Sequence, residues 1–273
     1  MWSGTVAYFT VVFPMLFLRS LVFNILWYIN LIVQMVVQTP IYFFLSHKEA
    51  VKVPQRWARS THALHRWIVG TRIEITGTEN IPQGGAIVAA KHQSLWDFYS
   101  IYEQLPDSAF VLKSELMKIP FFGWYVAKLR HIPISRGDRS KAMRTMMGIA
   151  EIEIVKGRQI LIFPEGTRRA PGAEPAYRYG VTRMYEKLDC PVVPVALTSG
   201  LYWPRRTFMR FPGVIRMRFL PPIPPGLPSE EFSKRVADAI EEGCLDLYRE
   251  TLNDDVQPPR LEALIADHEK NHH

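Results

Sequence analysis

The chain has 273 residues, of which 48% are hydrophobic and 22% are charged, enough for one large domain with its own core. Its two cysteines, Cys190 and Cys244, lack Cys-x-x-Cys spacing, which argues against a zinc site or a disulfide framework. The formal net charge of +7 indicates an anionic partner, such as nucleic acid, phospholipid headgroups or an anionic substrate.

The first 46 residues favour a membrane among these partners. Arg19 is the only charged side chain between Trp2 and Leu45. A run of about 20 apolar residues is long enough to cross a bilayer. We therefore predict a membrane-embedded or membrane-dipping helical segment over residues 1–46. Two arrangements stay open, namely one or two spanning helices, or a helical pair that dips into one leaflet. An apolar helix pair in the core of a soluble domain is the remaining alternative.

Residues 47–70 are basic and also contain aromatic side chains. Their lysines and arginines are interleaved with Trp57 and Trp67, a pattern typical of helices at a membrane surface. Positive charge beside an apolar segment favours the cytoplasmic side of a membrane. We therefore predict a basic interfacial helix, a location at the inner (cytoplasmic) membrane, and a remaining domain that faces the cytoplasm. The sequence contains no recognised nucleic-acid-binding motif, so we expect no nucleic-acid partner.

From residue 71 to residue 273, short apolar strands alternate with helical segments. The predicted strands are 72–77, 85–91, 109–116, 131–135, 159–164, 191–199 and 214–223, and the predicted helices are 94–105, 121–130, 140–157, 177–188 and 229–252. This alternation predicts an α/β domain with a mostly parallel central sheet covered by helices on both faces. Segment 214–223 alternates in polarity and ends in prolines, which predicts an edge strand.

The stretch AAKHQSLWDF (residues 89–98) places a histidine and an aspartate where a predicted strand ends. Residues five apart on a continuous helix lie on different faces, so His92 and Asp97 can meet only if His92 precedes the helix. Ser94 and Asp97 form a capping-box pattern, with Ser94 as the N-cap residue, which predicts this placement. Asp97 could then both cap the helix and orient His92 as a general base, whereas a cap without catalysis is the simpler alternative.

Two arginines follow other predicted strands. Arg168 lies in LIFPEGTRR (residues 161–169), and Arg136 lies in PISRGD (residues 133–138). The carboxyl ends of parallel strands meet at one edge of the sheet, where open α/β sheets bind ligands. A guanidinium can bind a phosphate through two parallel hydrogen bonds. Together with His92, these arginines indicate a site that combines a base with phosphate binding, although solvated charged loops are the commoner role of such segments.

The motifs HQSLWD, PISRG, FPEGTRR and VPVALTS occur in an order that closely resembles the glycerophospholipid acyltransferases, nearest the 1-acyl-sn-glycerol-3-phosphate acyltransferases, over residues 72–225. The resemblance implies transfer of an acyl group from a thioester to the sn-2 hydroxyl of 1-acylglycerol 3-phosphate, giving phosphatidate. It implies that His92 is the general base and that Asp97 orients it. It also implies that the phosphate-bearing acceptor is bound by Arg136, Glu165, Gly166, Thr167 and Arg168.

The resemblance further implies partners but neither a metal nor a redox cofactor. The expected partners are a lysophospholipid acceptor, membrane lipid, and a donor that is either acyl-CoA or acyl carrier protein. Two alternatives stay open, namely an acyltransferase for another lysolipid, such as a lyso-ornithine lipid, and a non-catalytic membrane protein that binds anionic lipid. Lys91 stands where many family members have Asn, so we expect it to add positive charge near the site.

Overall fold

The computed structural model describes residues 13–135, 139–259 and 261–272. Two helices come first: α1 spans Phe13–Tyr42 and α2 spans His47–Leu64. Ser46 begins α2 as a capping box with Glu49. A short π-helical turn, His65–Val69, then leads into the α/β domain.

Seven strands in the described part of the chain form one sheet in the order β1-β7-β6-β2-β5-β3-β4. They are β1 Thr71–Thr76, β2 Ala86–Ala90, β3 Ser108–Lys113, β4 Ile132–Ile134, β5 Gln159–Ile162, β6 Val192–Leu197 and β7 Gly213–Phe219. The helices that follow α2 are α3 Trp96–Gln104, α4 Phe122–Lys128, α5 Arg139–Val155, α6 Gly180–Leu188, α7 Ser199–Tyr202, α8 Ser229–Thr251 and α9 Leu261–His272.

The five strands β6, β2, β5, β3 and β4 are parallel to one another, as predicted. Every residue of β2, β5 and β6 is buried, which explains why these segments are continuous apolar runs rather than alternating ones. Helix α8 packs on β6, and α5 packs on β4 and β5. The predicted α/β class with a mostly parallel, helix-covered sheet is confirmed.

The prediction of an edge strand over residues 214–223 is wrong. Strand β7 lies inside the sheet, antiparallel to β6 and parallel to β1, so the two edge strands of the described sheet are β1 and β4. Two arginines cause the polar alternation of β7, and both bind carboxylates rather than bulk water. Arg216 Nη2 lies 2.6 Å from Asp254 Oδ1, and Arg218 Nη2 lies 2.8 Å from Glu250 Oε1. A strand whose charged side chains form ion pairs thus shows the same alternation of polar and apolar residues as an edge strand exposed to water.

Helix α1 is attached to the domain along one face. Near its start, Arg19 Nε donates to the carbonyl of Ile68 at 2.6 Å. In its middle, Asn30 Nδ2 donates to the Ser60 hydroxyl of α2 at 2.9 Å. At its end, the Tyr42 ring stacks on another tyrosine, Tyr125, with ring centroids 3.8 Å apart. The polar residues of α1 therefore contact protein at several points along the helix.

The opposite face of α1 is apolar and exposed. Its exposed residues include Leu18, Val22, Ile25, Ile29, Ile32, Val33, Val36 and Val37. Among the described helices, α1 alone is long and apolar enough to cross a membrane. The predicted boundaries of the membrane segment (1–46), the interfacial helix (47–70) and the cytosolic domain (71–273) stay predictions.

Candidate active site

Three adjacent parallel strands bring the motifs together at one edge of the sheet. His92 follows β2, Glu165 follows β5 and Ser199 follows β6. Because β2 lies between β5 and β6, the carboxyl ends of all three meet at one place. Arg136, which the sequence also predicts at this edge, lies outside the described residues.

The carboxylate of Asp97 is fully buried and accepts four hydrogen bonds. Oδ2 accepts from the backbone nitrogens of Gln93 at 2.7 Å and Ser94 at 2.8 Å, and from His92 Nδ1 at 3.0 Å. Oδ1 accepts from the hydroxyl of Ser199. A buried carboxylate needs such donors to offset the loss of its hydration, and here they also fix its orientation.

The predicted capping box is half correct. Asp97 reaches back to the backbone nitrogen of Ser94, as predicted. The Ser94 hydroxyl, however, accepts from the backbone nitrogen of Trp96 at 3.0 Å rather than from that of Asp97. The N-cap residue of α3 is Leu95 rather than the predicted Ser94, and Asp97 lies in the first turn of the helix with His92 before it. The geometry required for a His92–Asp97 contact is present.

Histidine 92 is held on three sides. An ionised carboxylate only accepts hydrogen bonds, so Nδ1 carries the proton that faces Asp97, and Nε2 is the basic nitrogen of the neutral ring. The ring stacks on Phe163 with centroids 3.9 Å apart. The His92 carbonyl accepts from the backbone nitrogen of Arg169 at 2.8 Å. Because Phe163 and Arg169 belong to FPEGTRR, the base and that motif form one unit.

The turn of FPEGTRR presents a concentration of positive charge. Gly166 has a φ of +65°, a backbone conformation that favours glycine, and a Cβ atom there would lie 3.1 Å from Cζ of Arg178, whose side chain would have to shift slightly. Gly166 and Thr167 are exposed, and Arg168 is half-buried. Within the described part of the chain, no carboxylate pairs with the guanidinium of Arg168 or of Arg178. Both cations remain available to an anionic ligand.

Glu165 points in the opposite direction, into the protein. Its Oε1 atom lies 3.1 Å from Nζ of Lys91, which in turn lies 2.5 Å from Oε1 of Glu241 on α8. All three side chains are almost fully buried. The expectation that Lys91 adds positive charge to the site is wrong, because two carboxylates from distant parts of the chain surround it.

The same network alters the protonation equilibria of its members. Burial lowers the pKa of Lys91, but Glu241 and Glu165 together raise it by more, so the net shift is upward. Burial raises the pKa of Glu165, and the neighbouring Lys91 opposes that shift. Lys91 thus stays an ammonium ion and anchors the turn to α8.

Sequence reasoning missed Ser199 and Gln93. Ser199 donates to Asp97, and Gln93 Oε1 accepts from the backbone nitrogen of Gly200 at 3.0 Å. The available signal was the position of Ser199 directly after the buried segment VPVALT. That signal becomes useful only once β6 is known to lie beside β2, which strand prediction does not provide.

Comparison with known proteins shows which sequences this chain is similar to. Residues 72–198 match the model of the acyltransferase family. A 1-acyl-sn-glycerol-3-phosphate acyltransferase of Pseudomonas aeruginosa is 36% identical over 165 residues, which are 60% of this chain and 64% of the Pseudomonas protein. One from Saccharomyces cerevisiae is 28% identical over 226 residues, which are 78% of this chain and 74% of the yeast protein. The chain thus covers less than two thirds of the Pseudomonas relative.

The fold is also similar to that of a solved acyltransferase structure. The crystal structure of the 1-acyl-sn-glycerophosphate (LPA) acyltransferase PlsC from Thermotoga maritima superposes with a TM-score of 0.73 at 26% identity. The superposition covers 84% of this chain and 96% of the Thermotoga chain. The resemblance inferred from the four motifs is confirmed. Residues 72–198 are similar to the acyltransferase family, and the fold is similar to that of the Thermotoga enzyme.

Proposed function

We propose that the protein transfers an acyl group from a thioester to the sn-2 hydroxyl of 1-acyl-sn-glycerol 3-phosphate, giving phosphatidate. The observation that carries this proposal is the His92–Asp97 pair and its backbone link to the cationic turn. The link joins the His92 carbonyl to the nitrogen of Arg169. A base and a phosphate-binding arginine on one rigid unit suit an acceptor that carries both a hydroxyl group and a phosphate. The names of the two similar enzymes from Pseudomonas and yeast support the same acceptor.

The reaction follows from the orientation of His92. Nε2 removes the proton from the sn-2 hydroxyl while the hydroxyl oxygen attacks the thioester carbonyl carbon. Asp97 stabilises the imidazolium that forms, because its carboxylate faces the Nδ1 proton. The tetrahedral intermediate then collapses, the carbon–sulfur bond breaks, and the thiolate takes the proton from Nε2. The products are phosphatidate and free thiol.

The acceptor phosphate is bound by Arg168, together with exposed groups of Gly166 and Thr167, and with Arg136 of the second motif. The exposure of the turn supports this assignment, as does the Arg168 guanidinium, with which no carboxylate of the described residues pairs. Glu165 contributes differently, because its carboxylate is buried against Lys91. It holds the turn in place and does not contact the negatively charged phosphate.

The protein acts at a membrane surface, with α1 dipping into one leaflet rather than crossing. A crossing helix is surrounded by lipid, whereas α1 contacts the domain from Arg19 to Tyr42. At about 45 Å, a helix of this length could not cross without drawing the domain into the bilayer. Exposed Trp67 and Trp124 are suited to the headgroup region. The basic residues of α2 favour the cytoplasmic side of the inner membrane for the domain.

Acyl transfer by purified protein in vesicles tests the proposal. Lysophosphatidate is offered with acyl-CoA and, separately, with acyl carrier protein, and released thiol is measured. Thiol release with phosphatidate as the lipid product is the expected result. A panel that includes a lyso-ornithine lipid identifies a different acceptor, and lipid binding without thiol release with any donor would show a non-catalytic protein.

A further inference from the structure

A second arginine-bearing site lies between α1 and the loop of residues 203–210. It is a cleft of about 260 Å³. One wall is formed by Trp27 and Tyr28 of α1, and the other by the loop, including Arg206. Arg168, from the turn assigned above to phosphate binding, also lines the cleft. The cleft therefore connects the apolar helix with the proposed active site.

The arginines of this loop have different surroundings. Arg205 donates to the carbonyl of Arg168 and so fastens the loop to the FPEGTRR turn. Arg210 is buried, donates to Oδ1 of Asn24 at 2.9 Å, and lies over the ring of Trp203 at 4.4 Å. Arg205 and Arg210 thus have structural partners within the protein.

Arg206 differs from both. It is exposed at the rim of the cleft, and its guanidinium has no partner among the described residues. Its backbone has a φ of +57°, a left-handed conformation that costs a non-glycine residue stability. Glycine would fit this position better. A strained residue with an unpaired cation at a cleft is the pattern expected of a ligand-binding position.

The chemistry of the walls identifies the class of ligand. The cleft is lined by arginines, and no aspartate or glutamate in the described part of the chain lines it. Such a cleft suits an anion. A phosphate monoester is one such anion, since the guanidinium of an arginine binds it through two parallel hydrogen bonds. The other wall belongs to a helix whose outer face is apolar, and Tyr28 itself is exposed. An anion with an attached hydrocarbon chain matches both walls.

We propose that Arg206 is an acceptor-recruiting residue, which binds the phosphate of a lysophospholipid as it leaves the membrane along α1 and passes to Arg168. This inference rests on the proposed function. Arg206 acts before the chemical step, so it determines how well the acceptor binds and leaves the acyl transfer itself unchanged. Arg205 joins the loop to the turn through its hydrogen bond to the Arg168 carbonyl. This bond holds Arg206 and Arg168 in fixed positions relative to each other.

Arg206→Gly tests the proposal, and Arg130→Gly is a matched control. Arg130 is also an exposed arginine with a positive φ, of +53°, but it precedes β4 and so lies at the opposite edge of the sheet. Each substitution removes one positive charge and relieves the same backbone strain. We expect both variants to keep or raise the Tm of the wild-type protein. A structural role of Arg206 would instead lower it.

The kinetic readout separates the two variants. In mixed micelles, Arg206→Gly should raise the KM for lysophosphatidate about tenfold, as expected for loss of a charge-assisted hydrogen bond, with kcat and the donor KM unchanged. Arg130→Gly should leave all three constants unchanged. An unchanged acceptor KM in Arg206→Gly overturns the proposal, as does an equal rise in Arg130→Gly. A rise in the donor KM alone also overturns it, because the cleft would then bind a phosphate of the donor.

Failure of this inference can be told apart from failure of the proposed function. If wild-type protein releases no thiol with lysophosphatidate, the proposed function fails. If the wild type is active and Arg168→Ala raises the acceptor KM while Arg206→Gly does not, only the role of Arg206 is wrong.

Discussion

His92 and Asp97 form a hydrogen bond of 3.0 Å between Nδ1 and Oδ2, and the same carboxylate also caps the turn that leads into α3 by accepting from the backbone nitrogens of Gln93 and Ser94. Capping and orientation of the base are therefore two roles of one side chain. Nε2 of His92 is left as the nitrogen that can act on substrate, and 17% of this side chain is exposed.

Replacement of the base gives the first prediction. His92→Ala should lower kcat for acyl transfer by at least about 100-fold, because a positioned general base contributes roughly 10²–10⁴ in rate. Thiol release from wild-type and variant protein in the same vesicles measures the effect. The Tm should also fall, because the buried Asp97 carboxylate loses one donor and Phe163 loses its stacked ring, so kcat is compared at a temperature where both proteins are folded. A loss of less than tenfold would refute the general-base role.

Two substitutions at Asp97 should separate its roles. Asn can keep one oxygen toward the donors of Gln93, Ser94 and His92 and turn its amide toward Ser199, whose hydroxyl can accept. Asp97→Asn should therefore retain the cap but lose the charge that stabilises the imidazolium. Asp97→Ala should lose both.

We expect both Asp97 variants to lose about 100-fold or more in kcat, since neither stabilises the imidazolium. Asp97→Ala should also lose about 1–3 kcal/mol of unfolding free energy, because buried N–H donors are left without an acceptor. Asp97→Asn should lose less stability. Urea unfolding and thiol release on the same samples provide the comparison. Near-wild-type activity of Asp97→Asn would show that the negative charge is dispensable.

The third prediction concerns the phosphate. Arg168→Ala should raise the KM for lysophosphatidate and leave the KM for the acyl donor unchanged, because the guanidinium contacts only the acceptor in the proposed complex. A loss of roughly 1.5–3 kcal/mol in acceptor binding is typical for a hydrogen bond to a charged group. Arg235→Ala, which removes an exposed arginine of α8, is the control and should leave both constants unchanged. An unchanged acceptor KM in Arg168→Ala would remove the phosphate assignment.

The fourth prediction concerns the buried ion network. Lys91→Met leaves the carboxylates of Glu165 and Glu241 buried without their ammonium partner. Breaking a buried pair in this way costs about 3–5 kcal/mol, far more than an exposed pair. Denaturant unfolding should show this loss, and activity should fall too because Glu165 holds the turn.

The control for Lys91→Met is the same substitution at an exposed pair. Lys234 on α8 pairs with Asp238 in water, where its side chain is 78% exposed. Lys234→Met should leave the denaturation midpoint unchanged, since surface pairs contribute little. Equal destabilisation by both substitutions would contradict the assignment of Lys91 to a buried network.

Much of the fold could be predicted because the central strands are buried on both faces. Strands such as β2 and β6 are continuous apolar runs, and runs of that length between helical segments indicate parallel strands. The position of β7 could not be predicted in the same way. Arg216 and Arg218 alternate with apolar residues whether their partners are water or the carboxylates of Asp254 and Glu250. Only the packing of distant segments distinguishes the two cases.

The sequence by itself determined the local chemistry of the site. His92 and Asp97 are five residues apart, so the strand end and the first turn of α3 bring them within hydrogen-bonding distance of each other. The tertiary structure alone decided which distant groups complete the site. Ser199 reaches Asp97 across 102 residues and Lys91 reaches Glu165 across 74, and both contacts depend on β2 lying between β6 and β5. The order of the strands depends on the packing of the whole domain. It therefore cannot be predicted from the periodicity of apolar residues along the sequence.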